Sequence, residues 1–429
     1  MLKVTKNKLN LFLVISIFFI YFLGFYVREI SNGAGHTDLE QHIWIIISDL
    51  KNNYLDTIKN YQSYNEATFP FYHSLQSFLN PASKSYIYCF NNTIFNLFIV
   101  LIFYKFLRFK KIEFENNFLI IFVSLILLIS PWFRSSSYWG MTENFAFFFL
   151  IPSLYLLDQL IKKKITLTDN LLLTILISLT LYSRQQYLFL ALFHIFILLI
   201  NNDKKNLIYT FILYSVLSIP GFYVLFLWNV FNDLSQITSA SSNLDIRNIF
   251  LNIPKISSLL FFYSIPLILI NFSNFLKILF SKKFVIFFIA IFIIKLILFN
   301  DLDYPDKGGG FIVKFTQFFL MNDTKLLIFI SSILFALIIS IINLTNYKYF
   351  LILPLIYLNF GFTEFLYQEW FDPLYLIFFY IFFPRDKIHI LKLNKNFSVK
   401  LLLVWEFFVL LIAIIYYHEI KNLPLFYTF

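Results

Sequence analysis

The sequence predicts an all-α, multi-pass membrane protein, and three observations predict it. Hydrophobic residues make up 59% of the 429 and charged residues only 14%, whereas a soluble chain carries about 25% charged residues. The apolar residues gather into long runs, many of about 17–25 residues, enough to carry a helix across the bilayer core. Between the runs no polar stretch is long enough to hold a soluble core. A single integral membrane domain over residues 1–429 is therefore expected.

In chain order the runs fall near 10–27, 86–104, 117–131, 144–161, 171–183, 186–200, 207–231, 256–275, 284–299, 326–342, 349–362, 373–384 and 400–417. They make a bundle of about 11–13 transmembrane helices, with 171–183 and 186–200 counting as two helices or one bent unit. The first run follows Lys3, Lys6 and Lys8 and lacks a small-residue cleavage site. It reads as a retained signal anchor with a cytoplasmic N-terminus. No internal repeat and no glycine-rich phosphate loop interrupts the series. Cys89, the single cysteine, leaves no intramolecular disulfide and no thiol metal cluster. His73, His194, His389 and His418 are scattered without metal-ligand spacing on one helix, so neither a metal nor a cofactor is expected.

A net charge of +10 raises the question of nucleic acid, but the basic residues are dispersed among short loops. Their distribution is that of topology instead. With alternating helices, Lys105, Arg108, Lys110 and Lys111, Lys162–Lys164, Lys282 and Lys283, and Arg385, Lys387, Lys392 and Lys395 all fall inside, as the positive-inside bias requires. The acids gather on the outer side, where they do little for insertion, so function is expected on the outer face. Composition and short loops point to a bacterial inner membrane rather than the endoplasmic reticulum.

The largest outer segment, 28–85, contains Gly35-His36-Thr37-Asp38-Leu39-Glu40-Gln41-His42 and then Ile43, Ile46, Ile47 and Leu50 at helical spacing. That pattern predicts an amphipathic helix along the membrane surface. Asp38, Glu40 and His42 are the candidate acid/base residues, because a carboxylate held at the interface can deprotonate an attacking hydroxyl. The same residues also read as a solvated helix N-terminus capped by Thr37 or Asp38. Arg184, with Gln185 and Gln186, sits between two apolar runs in Ser183-Arg184-Gln185-Gln186-Tyr187. A guanidinium between amides suits a phosphate or a sugar, while the alternative is an arginine snorkelling to headgroups.

The outer loop 131–144 offers Arg134, Glu143 and Asn144 as sugar contacts, with Trp132, Tyr138 and Trp139 either stacking on the sugar or forming an interfacial aromatic belt. Arg247 and Lys255 would meet a lipid phosphate or simply solvate their loop. Glu369, in Gln368-Glu369-Trp370-Phe371-Asp372-Pro373, would close the site. Asp306-Lys307-Gly308-Gly309-Gly310 reads as a turn or a lid.

An acid in a large outer loop after the first span, followed by ten or so more spans, resembles the GT-C membrane glycosyltransferases. Within them the chain is most similar to the family that adds the terminal alpha-1,2-linked glucose to a dolichol-linked oligosaccharide from dolichyl-phosphate glucose. The family's Asp-Glu-x-x-His resembles Asp38-Leu39-Glu40-Gln41-His42, with the glutamate shifted by one. Its Thr-x-Pro-Gly-x-Tyr resembles Thr68-Phe69-Pro70-Phe71-Tyr72, and its Phe-Arg-Gln-Thr-Asn resembles Ser183-Arg184-Gln185-Gln186-Tyr187. Its Asp-Arg loop resembles Asp245-Ile246-Arg247, and its late Glu-x-Arg-Tyr-Phe resembles Glu369-Trp370-Phe371 without the arginine. The family's Asp-Asn-Arg-His-Tyr loop is replaced here by Asp306-Lys307-Gly308-Gly309-Gly310-Phe311.

The resemblance implies transfer of a glucose-like hexose from a polyprenyl-phosphate donor to a glycan or glycolipid acceptor, with inversion. Asp38 would be the base, and Arg184 and Arg247 would stand at the phosphate. The partners are then these two substrates and the membrane lipids. Two other expectations remain open beside it: a transporter or flippase of lipid-linked glycans, and a glycan polymerase using a pyrophosphate donor. A transporter would line its path with charged residues in several spans, and only Lys295 and Glu406 lie clearly within spans.

Overall fold

The structure is a computed structural model that describes residues 2–31, 35–64, 68–110, 117–228, 246–270, 347–361, 366–382 and 395–416, with short pieces and single residues between 272 and 333. Among these residues every regular element is helical. In chain order they are α1 (Leu2–Tyr26), α2 (Gly35–Asp38), α3 (Trp44–Asn52), α4 (Tyr54–Lys59), α5 (Phe71–Leu79), α6 (Ser85–Phe109), α7 (Asn117–Leu125), α8 (Pro131–Trp139), α9 (Thr142–Lys162), α10 (Leu167–Ser183), α11 (Leu188–Ile200), α12 (Lys204–Leu227), α13 (Ile246–Ile270), α14 (Tyr347–Phe350), α15 (Ile352–Gly361), α16 (Leu374–Ile377) and α17 (Lys395–Ile415).

Residues 8–26 of α1, together with α6, α9 and α12, are long and apolar enough to cross a bilayer. A fifth span arises if Ile120–Leu128 and Pro131–Trp139, bent by 57° across a short break, count as one. The protein is thus an all-α, membrane-embedded chain. The expected runs near 284–299 and 326–342 lie outside the described stretches. The chain clusters into two compact units, one drawn from 1–240 with 380–382 and 399–429, the other from 241–379 with 383–398.

In the first unit the segment after α1 is folded rather than a tether. The periodic residues Ile43, Ile46, Ile47 and Leu50 are all buried, each worth up to about 1.5–3 kcal/mol. Ile46 and Leu50 pack with Ile58 and Tyr61, against which Tyr64, Leu227 and Trp228 lie. The Tyr61 and Trp228 rings stack at 5.7 Å and 7°. Lys51 Nζ donates to the carbonyls of Asn80 and Ala82 at 2.9 and 2.7 Å, holding α3 to the end of α5.

The stretch 131–144, expected as an outer loop, is instead a buried helix and the start of the next one. Ser130 caps α8 by accepting the Phe133 N–H, and Pro131 occupies its first turn. Gly140 ends it at φ 64°, and the Met141 N–H closes back on the Ser136 carbonyl at 2.9 Å, the left-handed stop that glycine permits. Trp132, Tyr138 and Trp139 are buried among protein groups, so they form no lipid-facing belt. The hydroxyls of Tyr72 and Tyr88 both donate to the Gly140 carbonyl, at 2.8 and 2.6 Å, anchoring this corner to α5 and α6.

Helices α10, α11 and α12 are joined by polar side chains between spans, the usual glue where lipid offers no hydrophobic drive. Asn170 Nδ2 donates to Thr210 Oγ1 at 2.8 Å, and its Oδ1 accepts from His194 Nε2 at 3.0 Å. That fixes the proton on Nε2 and leaves Nδ1 to accept from the Tyr214 hydroxyl at 3.1 Å. One residue beyond Pro220, the Tyr182 hydroxyl accepts from the Gly221 N–H and donates to the Leu217 carbonyl, at 2.9 and 2.6 Å. It is thus inserted into the helical ladder of α12.

In the second unit α13 packs on α15. Asn252 Nδ2 donates to the Gly361 carbonyl at 3.0 Å, and Ser257 and Tyr357 share a hydroxyl hydrogen bond of 2.7 Å. The Gln368 side chain accepts from the Phe311 N–H at 2.6 Å and donates to the Tyr263 hydroxyl at 2.8 Å.

Candidate functional site

Two of the candidate groups of the first unit, the segment bearing Asp38 and Arg184 with Glu143, border one corner, the turn from α8 into α9. Asp38 is the last residue of α2, half-buried, and a π-helical turn over Leu39–Ile43 follows it directly. Such turns concentrate at functional sites. Gly35, at the start of α2, lies so close to Trp139 that a Cβ there would stand 2.3 Å from the indole. The His36 ring meets the Trp139 ring edge-on at 5.3 Å. The acidic segment is therefore pressed against the last residue of α8.

Its members then part. Glu40 is 62% exposed, and its Oε1 lies 3.2 Å from His36 Nε2. His42 turns away and donates from Nδ1 to the Tyr64 carbonyl at 2.8 Å; a carbonyl only accepts, so the proton is on Nδ1. The Tyr64 hydroxyl in turn donates to Asp49 at 2.6 Å, and burial beside that carboxylate pushes the phenol up to about 12.

On the other side of the corner stands Arg184. It leaves α10 in an extended conformation, φ −154° and ψ 110°, so its side chain projects from the break between α10 and α11 rather than from a helix face. Its Nη2 pairs with Oε1 of Glu143, in the first turn of α9, with side chains 15% and 10% exposed. Gln185 and Gln186 follow, half-buried, in a 3₁₀ turn over Gln185–Tyr187. Trp139 and Glu143 are separated by only Gly140, Met141 and Thr142, at most about 14 Å of chain.

Arg134, expected as a sugar contact, is not among them. Its guanidinium is 1% exposed and is committed to Glu29 Oε2 at 2.6 Å and the Ile20 carbonyl at 3.1 Å. Asn144 is also consumed locally, donating to the Phe133 carbonyl and to Ser137 Oγ at 2.7 and 3.0 Å. Arg247 opens α13 and Glu369 sits in a 3₁₀ turn, both in the second unit with side chains outside the described set. The loop Asp306–Gly309, Asp245 and Lys295 lie outside the described residues as well, and Glu406 is buried in α17.

Sequence reasoning missed Arg28 and Glu29. Arg28 takes φ 53°, a left-handed conformation uncommon outside glycine, and lays its guanidinium 5.5 Å from the Trp139 ring centre. Burial draws this guanidinium down to about 10, with the charge of Glu40 offsetting part of the effect. Burial also lifts the Glu29 carboxyl above its ordinary value, against the pull of Arg134. The one signal in the sequence was the charged pair Arg28-Glu29 immediately after an apolar run.

The chain matches no protein-family model, no curated protein and no solved structure.

Proposed function

We propose that this protein is a GT-C-type membrane glycosyltransferase that moves a glucose-like hexose from a polyprenyl phosphate to a glycan or glycolipid acceptor, with Asp38 as base. One observation carries the reading: the segment that bears Asp38 packs through His36 on Trp139, and Arg184 pairs with Glu143, so an acid and a guanidinium remote in sequence border the same α8–α9 corner. In the reaction the acceptor hydroxyl attacks the anomeric carbon as Asp38 takes its proton. The bond from that carbon to the phosphate oxygen breaks with inversion. The donor phosphodiester carries one negative charge and the departing monoester two, so the charge to be stabilised develops at the phosphate. A guanidinium placed there acts when it is most needed, and Arg184, unlike the sealed Arg134, keeps enough open surface to serve. The order of motifs along the chain supports the same assignment. Basic inner loops support a cytoplasmic N-terminus, and chain composition supports a bacterial inner membrane.

The polar cluster of Asn170, His194, Thr210 and Tyr214 between spans favours a second reading, passage of a lipid-linked glycan, because polar groups at membrane depth mark pathways. Its hydrogen bonds close on one another, however, which suits helix packing better than a path.

Membranes containing the protein, supplied with labelled polyprenyl-phosphate hexoses, test the proposal. Label should enter a glycan or glycolipid, and Asp38→Asn should lower transfer by about 10²–10⁴-fold with insertion unchanged. Unchanged turnover in the variant removes Asp38 from the role. No transfer from any such donor by folded protein moves the assignment to transport.

A further inference from the structure

We propose that Glu143 is a built-in stand-in for the donor's phosphate: it holds Arg184 in the empty site, yields it to a polyprenyl phosphate and reclaims it afterwards. The inference rests on the reading of Arg184 as the phosphate contact. Three features of the pair support it.

First, the two groups are paired incompletely. Arg184 Nε and Glu143 Oε2 are shut off from solvent and have no hydrogen-bond partner among the described residues. Exchanging the carboxylate for a phosphate, which has more acceptor oxygens, offers the guanidinium partners that Glu143 alone does not supply. Second, the pair can be reached. Arg184 retains 15% of its side-chain surface and stands at a helix break flanked by half-buried Gln185 and Gln186. Third, the place held by the Glu143 carboxylate already suits an anion, since it lies in the first turn of the 21-residue α9, where the helix favours negative charge.

Chemistry gives the stand-in a purpose. A dianionic product at a partly buried arginine would leave slowly. A carboxylate tethered beside the arginine competes for it intramolecularly, at an effective concentration no free anion reaches, and so speeds release. Glu143 then weakens phosphate binding and quickens turnover together.

The test is binding of a short-chain polyprenyl monophosphate to the detergent-solubilised full chain, with single-turnover and steady-state transfer measured on the same preparations. Removing a competing like charge, Glu143→Gln should bind the lipid about ten-fold tighter or more, and Arg184→Gln should lose binding. Glu143→Gln should also lower kcat and KM together, because the dianionic product then leaves more slowly. Glu143→Asp, which keeps the charge but withdraws it by one methylene, should tighten binding as well and serves if the glutamine variant does not fold. Inorganic phosphate and an anionic phospholipid, in separate arms, should show a smaller gain.

Binding no tighter in either folded Glu143 variant overturns the inference, as does binding indifferent to Arg184. An equal gain with inorganic phosphate overturns the assignment to a polyprenyl carrier. Tighter binding in protein that transfers no sugar retires the transferase reading and keeps the stand-in. Transfer with phosphate affinity indifferent to Glu143 does the reverse.

Discussion

Two guanidinium–carboxylate pairs flank the α8–α9 corner, and they differ in access rather than in hydrogen bonding. Both are under-satisfied: Arg134 Nε and Nη1 and Glu29 Oε1 lack partners in one, Arg184 Nε and Glu143 Oε2 in the other. Unpaired atoms therefore mark a binding site only where the pair can also be reached. What differs is the wall around them. Arg134 is 1% exposed, has a carbonyl as second acceptor, and lies against the Tyr138 ring at 5.6 Å. Arg184 is 15% exposed at a helix break. A buried ion pair seldom repays its desolvation. The first pair is best understood as fixing how the end of α1 meets α8, and the second as keeping a guanidinium ready.

The largest effect should come from breaking the sealed pair. Arg134→Met strands a buried Glu29 and should cost about 3–5 kcal/mol, read as a fall in the melting temperature of detergent-solubilised protein. Adding Glu29→Leu should restore most of the loss, because it removes the stranded charge. Arg184→Met should cost less than half as much, since water reaches that pair. If the Arg184 variant melts as low as the Arg134 variant, the distinction between the pairs fails.

The next effect concerns the room each region leaves. A Cβ at Gly24 would stand 2.2 Å from Arg134 Nη2, 2.6 Å from the Tyr138 hydroxyl and 2.9 Å from Glu29 Oε2. Gly24→Ala should destabilise by about 1–3 kcal/mol through overpacking and leave phosphate binding at Arg184 untouched. At Gly140 the Cβ would stand 2.3 Å from the Tyr88 ring, on a backbone at φ 64°. Gly140→Ala should cost a similar amount and also lower transfer, because this corner carries Trp139, on which α2 packs, and Glu143, the partner of Arg184. Equal melting losses with transfer reduced only for Gly140→Ala would sharpen the contrast; transfer equally reduced by both would blur it.

How much of this was legible follows from which interactions are local. The buried face of α3 was readable because Ile43, Ile46, Ile47 and Leu50 repeat at the helical period. Arg184 stood out because nothing basic lies near it in the chain. Glu143 was legible as a sugar contact but not as the partner of Arg184, because only the packing of α9 on α10 brings the two together. Helix α8 was missed for a different reason. Its serines and aromatics lack the mean hydropathy of a span, yet its ends were spelled out by Ser130-Pro131 and Gly140. Caps carried the signal that hydropathy lacked. Arg28 and Glu29 looked like the start of a polar loop, and only the fold of α2 against Trp139 turned them inward.

The smallest effect settles which acid of the first loop does the chemistry. Glu40 and Asp38 lie two residues apart, but Glu40 is 62% exposed and leans on His36 one turn back, whereas Asp38 is half-buried where α2 gives way to the π-helical turn. An exposed pair at this spacing is worth only about 0.2–0.5 kcal/mol, so Glu40→Gln should scarcely move the melting temperature. A base must be held against its substrate and screened from water to deprotonate a hydroxyl, and Glu40 meets neither condition. Glu40→Gln should keep transfer within about two-fold of wild type, against the loss of orders of magnitude expected for Asp38→Asn. If instead Glu40→Gln abolished transfer and Asp38→Asn did not, the base would be the exposed acid. The substrate itself, closing over the loop, would then have to supply the enclosure that the empty protein lacks.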